Sequence, residues 1–376
     1  MRKIEMLDLR AQYDEIKEEI DGAINQVLLS SRFIKGPEVG TFEKELSDYL
    51  GNKQVISCGN GTDALQLALM ALDLKPGDEV ITTDFTFIAS AEVVALLGLK
   101  LVLVDVDPNT YNISVEGIRK AITSKTKAII PVHLLGQCAN MEEIMAIAKE
   151  HNLYVVEDSA QATGADFMFS NGEKKKAGTI GNIGATSFFP SKNLSCYGDG
   201  GAVMTNDDSI AERIRCIANH GSKIKYHNDL VGVNSRLDTI QASILSVKLK
   251  YLDDNNAARQ RAAAKYDTAL GEMKEISIPA KASFTTHIYH QYTIRVKDGK
   301  RDDLQKFLKS KEIPTMIYYP FPMHAQKAYS HLGYTDSDMP ISTQLCAEVL
   351  ALPIHPWIEE EQQNLIINSI KDFFAK

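Results

Sequence analysis

Residues 54–72 read Gln54-Val55-Ile56-Ser57-Cys58-Gly59-Asn60-Gly61-Thr62-Asp63-Ala64-Leu65-Gln66-Leu67-Ala68-Leu69-Met70-Ala71-Leu72. Gln54–Ser57 predicts a short strand and Thr62–Leu72 a helix, joined by a glycine-rich turn. The unit then repeats. Glu79–Thr83 reads as a strand and Ile88–Leu97 as a helix. Lys100–Val104 reads as a strand that ends at Asp105. Lys127–Val132 and Leu153–Glu157 are further strands, with the helix Met141–Glu150 between them. These strands are nearly continuous in apolar residues, as expected when helices cover both faces of a sheet. The fold class is therefore α/β with a mostly parallel sheet. Ligands of such sheets sit at the carboxyl ends of the strands.

Outside this region the pattern differs. Tyr13–Leu29 carries Ile16, Ile20, Ile24 and Val27 at helical spacing and predicts one amphipathic helix. After about residue 245, helices at Ser246–Leu270 and Asp302–Lys309 flank a strand at Gln291–Val296. The expectation is a large domain over 1–245 with an N-terminal helical arm, and a smaller α+β domain over 246–376.

Composition narrows the class. The chain has 376 residues, 44% hydrophobic, and a net charge of −8, which argues against a polyanion-binding surface such as one for nucleic acid. Lys174-Lys175-Lys176 reads as a solvated loop. The five cysteines show no CxxC or zinc spacing, and an odd, scattered set suits a reducing compartment. The N-terminus lacks the apolar core of a signal peptide, and no apolar run approaches the ~20 residues of a membrane span. A cytoplasmic location without membrane contact is expected. The nine histidines lack metal-ligand spacing, so no metal is expected.

Three segments carry the chemistry. Gly59-Asn60-Gly61-Thr62 lies between a strand and a helix, where backbone N–H groups and the helix N-terminus favour an anion. The plainer alternative is a turn with a helix cap at Thr62 or Asp63. Asp158 closes the apolar strand Leu153–Val156, and adjacent Glu157 points to the opposite face. Lys192 follows the strand-like Ala185–Phe189; burial there disfavours its ammonium form. Together these are the parts that hold pyridoxal phosphate (PLP) on a lysine, with a carboxylate against the pyridine nitrogen. Each also has a plain alternative: a cap or ion pair for Asp158, a surface position for Lys192. Phe87 suits either a cofactor ring or the core, and Gly198-Asp199-Gly200-Gly201 reads as a turn. No GxSxG, P-loop or GxGxxG sequence occurs.

The chain resembles the sugar aminotransferases of the DegT/DnrJ/EryC1/StrS type, a branch of the fold-type I PLP enzymes. The resemblance covers practically the whole chain. It is carried by Phe33-Ile34-Lys35-Gly36-Pro37-Glu38-Val39, Gly59-Asn60-Gly61-Thr62-Asp63-Ala64-Leu65, Glu157-Asp158-Ser159-Ala160-Gln161 and Gly232-Val233-Asn234-Ser235-Arg236-Leu237-Asp238. It implies Lys192 as the Schiff-base lysine, Asp158 at the pyridine nitrogen and Gln161 near the ring hydroxyl. Gly61, Thr62 and Ser187 match phosphate contacts, and Phe87 an aromatic against the ring. Asn234 matches a residue that reaches the phosphate from the neighbouring subunit, so a homodimer with shared active sites is implied.

The implied reaction moves an amino group from L-glutamate, through the pyridoxamine form, to a keto-sugar on a nucleotide, in surface polysaccharide synthesis. Ser187–Lys192 followed by Cys196–Gly201 looks most like the branch that acts on UDP-2-acetamido-2-deoxy-3-oxo-glucuronate. There Arg236 matches a cation for the uronate carboxylate; a structural ion pair with Asp238 or another carboxylate is the alternative. Tyr318-Tyr319-Pro320 stands where relatives often have His-Tyr-Pro. Tyr318, Tyr319 and His324 are candidate sugar contacts. Other 3-keto or 4-keto sugars, and a PLP-binding regulatory protein with little turnover, are the competing expectations.

Overall fold

The computed structural model of the chain describes residues 2–224 and 226–375. The strands in chain order are β1 (Gln54–Cys58), β2 (Glu79–Thr83), β3 (Lys100–Val104), β4 (Thr126–Ile130), β5 (Tyr154–Asp158), β6 (Asp166–Met168), β7 (Lys174–Lys176), β8 (Ile183–Ser187), β9 (Gly201–Thr205), β10 (Ser222–Ile224), β11 (His227–Asn228), β12 (Ile276–Ser277), β13 (Tyr292–Val296) and β14 (Val349–Leu352). The helices are α1 (Leu9–Glu15), α2 (Lys17–Ser30), α3 (Pro37–Leu50), α4 (Gly61–Ala71), α5 (Ala89–Leu96), α6 (Val115–Ala121), α7 (Met141–His151), α8 (Asp208–Ile217), α9 (Thr239–Leu249), α10 (Leu252–Leu270), α11 (Arg301–Ser310), α12 (Pro340–Glu348) and α13 (Glu360–Phe374).

The main sheet has seven strands in the order β1-β9-β8-β5-β4-β2-β3. Neighbours from β8 to β3 are parallel, whereas β9 runs antiparallel to both β8 and β1. Both faces are covered, and β2 shows how. Val80 packs with Leu65 of α4, Val93 of α5 and Ile214 of α8. Its neighbour Ile81 packs with Ile118 of α6 and Ile144 of α7 on the other face. Successive side chains point to opposite faces, so a strand covered twice must be apolar throughout.

A second sheet, β12-β13-β14, is antiparallel. Tyr292 and Ile294 of β13 share a core with Tyr266 of α10, Leu304 of α11 and Ile366 of α13, which also takes in Ile4 from the N-terminus. Residue 245 lies inside α9, a helix that packs on α2 and α3.

Several elements differ from their sequence readings. The single helix expected over Tyr13–Leu29 is two, because Ile16 leaves helical geometry at φ −118°, ψ 21°. The helix expected from Ser246 is also two, broken around Lys250 and Tyr251. Lys174–Lys176 is not a loop but β7, paired with β6, where Lys174 and Lys176 sit 3.2 and 3.0 Å from Asp166. A neutralising carboxylate across the ribbon lets three lysines form a strand. Of Gly198–Gly201, read as a turn, only Gly198 bends; Asp199 and Gly200 form no turn, and Gly201 opens β9. All five cysteines are free and buried. Among the described residues no helix is long and apolar enough to cross a membrane.

Candidate active site

A cavity of about 670 Å³ opens at the carboxyl ends of β5 and β8 and the N-terminus of α4. Its walls hold Gly61, Thr62, Phe87, Asp158, Gln161, Ser187, Lys192, Tyr318 and Tyr319. Nine residues spread over 259 positions of sequence meet here because parallel strands deliver their ends to one edge.

The anion end is built by α4. Asn60 caps it, its Oδ1 accepting from the Asp63 N–H at 2.8 Å. The cap is thus Asn60, not Thr62 or Asp63, and this leaves Thr62 free to face the cavity. Gly61 packs against Ser187 so closely that a Cβ on it would stand 2.6 Å from the Ser187 Cβ. Only glycine lets the helix start reach the end of β8. Gly61→Ala should push the two apart, weaken cofactor phosphate binding about tenfold or more, and cost about 1–3 kcal/mol of stability. Cofactor titration and thermal melting check both; unchanged affinity would remove Gly61 from the cradle.

Asp158, buried at the end of β5, accepts from the Ser90 hydroxyl at 2.8 Å on Oδ2 and from the Ala160 N–H at 3.2 Å on Oδ1. Glu157 does point the other way. It is fully buried and accepts from the Ile180 and Gly181 N–H groups, both at 2.6 Å, and from Gly178 at 2.9 Å. It also meets His133 Nε2 at 2.7 Å. The His133 N–H in turn donates to the Asp158 carbonyl at 2.9 Å, so the two carboxylates share one rigid support.

Burial pulls the Lys192 amine down to about 8, against an opposing pull from the Asp158 charge. The uncharged, nucleophilic form is therefore within easy reach near neutral pH, where an ordinary lysine is almost wholly protonated. Gln161 accepts from the Leu135 N–H at 2.8 Å and donates to the Tyr319 hydroxyl at 2.9 Å. Phe87 is 55% exposed and its ring centroid lies 6.4 Å from that of Tyr319. Phe87 is cavity wall, not core.

Three expected site residues lie elsewhere. Asn234 is exposed and bridges to Asn219. Arg236 lines a separate cavity with Lys35 and Asn219. Glu43 in that wall is bonded to Arg215 (3.0 Å), and among the described residues Arg236 forms no ion pair with Asp238 or another carboxylate. His324 is buried and does not line the Lys192 cavity; both its ring nitrogens face carboxylates. Conversely, His290, Gln291 and Thr86 line the cavity without having been singled out. His290 and Gln291 come from the segment before β13, about a hundred residues from Lys192, and no local pattern marks them.

A buried lysine whose proton is easily lost, beside a glycine-built anion cradle and a supported carboxylate, defines an enzyme of the lysine-dependent, phosphate-anchored cofactor class. Residues 14–371 match the DegT/DnrJ/EryC1/StrS aminotransferase family, and the chain belongs to it. It is 48% identical over 375 residues to the pleiotropic regulatory protein of Geobacillus stearothermophilus, covering 99% of this chain and 98% of the relative. It is 45% identical to the UDP-2-acetamido-2-deoxy-3-oxo-D-glucuronate aminotransferase of Pseudomonas aeruginosa, covering 96% and 98%. The crystal structure of Streptomyces venezuelae DesV in complex with a ketimine intermediate superposes with a TM-score of 0.95 at 38% identity, covering all of both chains.

Proposed function

We propose that the chain is a PLP-dependent aminotransferase that moves the amino group of L-glutamate to the C3 keto group of a nucleotide sugar, UDP-2-acetamido-2-deoxy-3-oxo-D-glucuronate. The observation that carries the enzyme reading is the buried Lys192 amine, lowered to about 8, in one cavity with Asp158 and the Gly61–Ser187 cradle. The sugar rests on the Pseudomonas relative and on Arg236.

The residues fit the cofactor. Gly61, Thr62 and Ser187 would hold its phosphate, Asp158 its pyridine nitrogen, Gln161 its ring hydroxyl and Phe87 its face. Bound PLP supplies an electron sink for the carbanion formed at the transferred amine's carbon. Lys192 would anchor the cofactor and would hold and move a proton at Nζ. Asp158 would hold the pyridine nitrogen in its charged form. Tyr318 and Tyr319 wall the sugar side.

The chain acts as a homodimer in this proposal. Asn234 and Arg236, which do not line their own Lys192 cavity, would reach that of a second copy, where Arg236 would meet the uronate carboxylate. Arg236→Ala should lower kcat/KM for the uronate acceptor about 10²-fold, and for the matching neutral 3-keto sugar only a few-fold. Amine transfer to a panel of 3-keto and 4-keto nucleotide sugars measures this; equal losses on both would remove the carboxylate role.

A regulatory protein that binds PLP with little turnover is a second reading, favoured by the name of the Geobacillus relative. Binding alone has no use for a proton carrier, a charged-ring partner and a ring-hydroxyl contact all in one cavity. Their joint presence supports turnover.

A further inference from the structure

His324 joins two segments that wall the cavity. Asp84 directly follows β2 and begins Asp84-Phe85-Thr86-Phe87. His324 ends Tyr319-Pro320-Phe321-Pro322-Met323-His324, a span stiffened by two prolines. Three contacts tie the two together, and a fourth holds the imidazole to Asp336. The Met323 N–H donates to the Asp84 carbonyl at 2.8 Å. The His324 N–H donates to Asp84 Oδ1 at 2.8 Å, and His324 Nδ1 lies 2.8 Å from Asp84 Oδ2. His324 Nε2 lies 3.0 Å from Asp336 Oδ1.

The segments also meet at their other ends. The Tyr319 ring lies 5.8 Å from Phe85 and 6.4 Å from Phe87, centroid to centroid, and its hydroxyl is bonded to Gln161. The imidazole thus closes a ring of contacts of which Phe87, Tyr319 and Gln161 form the cavity side. We propose that His324 is a positioning residue: as an imidazolium it latches the Tyr318–Tyr319 wall to the Phe87 segment, and loss of its proton loosens that wall.

The charge balance supports a charged latch. Two ring nitrogens facing two carboxylates can both donate only when both carry hydrogen. The Asp84 side chain is fully buried and Asp336 is 74% exposed. Burial opposes the His324 charge, but hydrogen bonds to Asp336 and Asp84 outweigh it, so its affinity for the proton is raised. Burial pushes Asp84 up, and the Asp105 charge adds to this. Asp338 faces His324, and Cys346 faces Asp84. A histidine raised in the fold contributes stability below its unfolded value and loses it as pH rises through the folded one. The latch therefore fails on the alkaline side.

The activity arm rests on the aminotransferase reading, so a second arm does not. Hydrogen exchange of the Tyr318–His324 amides, corrected for intrinsic rate, is followed from roughly pH 6 to 9 in the full-length protein. Protection should fall as pH rises. Asp336→Asn, at an exposed position that leaves the fold intact, should move that loss to lower pH. His324→Gln should exchange about tenfold faster at the acid end, with the difference from wild type closing as pH rises, and slow the glutamate half-reaction about tenfold with cofactor occupancy retained. An Asp336→Asn profile identical to wild type, or wild-type exchange in His324→Gln, would overturn the latch. A wild-type protein inert to glutamate but with the expected exchange pattern would sink the aminotransferase reading and leave the latch standing.

Discussion

Lys192→Ala should lower turnover by about 10⁴-fold or more while cofactor still binds in the cavity. The size of the effect follows from the two roles that one amine carries. In the proposed mechanism it would anchor the cofactor and act as the base at the reacting carbon. The uncharged form that both roles need is made accessible by burial, which lowers the amine from 10.5 to about 8. That shift has a separate signature in the cofactor-free protein. The unfolded chain keeps its lysine protonated up to 10.5 while the folded chain releases the proton near 8. Between those values the unfolded state binds more protons, so stability rises with pH. The penalty is full below about 8 and gone above 10.5. Lys192→Met should abolish that rise. Single-turnover rates and melts across the window measure the two effects; full activity in Lys192→Ala would end the mechanism.

Asp158→Asn should lower the rate about 10²- to 10³-fold with the fold intact, because the amide keeps the shape but cannot hold the pyridine nitrogen charged. Asp158→Ala should show the same loss of rate and an added loss of stability of about 1–3 kcal/mol, since the buried Ser90 hydroxyl and the Ala160 N–H lose their acceptor. The contrast separates charge from support. Ser90, fully buried, reaches the carboxylate from the start of α5 and fixes one oxygen. Steady-state rates with urea titrations of both variants decide the matter. An Asp158→Asn variant as fast as wild type would assign the carboxylate to structure alone.

The parallel part of the fold was legible because burial on both faces writes itself into each strand. Glu79–Thr83 and Lys100–Val104 are found at the residues their apolar runs mark. β9 was not legible. Gly201–Thr205 is as apolar as its neighbours, but nothing local says that it enters the sheet antiparallel between β1 and β8. α3 was missed as well, although Gly36-Pro37 is a fair helix start, with proline in the first turn where it loses no hydrogen bond. The break at Ile16 is tertiary in origin, since the apolar spacing runs straight through it while Ile16 and Ile20 pack on Ile244 and Val247 of α9.

The site divides in the same way. Residues at strand ends, Asp158 and Ser187, and the Gly61 turn could be placed from sequence because sheet topology decides where they go. His324 could not. Its partners Asp84 and Asp336 are 240 and 12 residues away, and the pairing depends on how the C-terminal segment returns to β2. His290 and Gln291 reach the cavity by a different long-range contact, against Leu135 and Asn193.

The most direct test is an absorbance spectrum of the purified protein with PLP, recorded before and after L-glutamate, then after UDP-2-acetamido-2-deoxy-3-oxo-D-glucuronate. The account predicts that glutamate removes the band of the lysine-bound cofactor and that the sugar restores it. A band that glutamate leaves unchanged would contradict transamination, and a band lost to glutamate but not restored by this sugar would contradict the proposed acceptor.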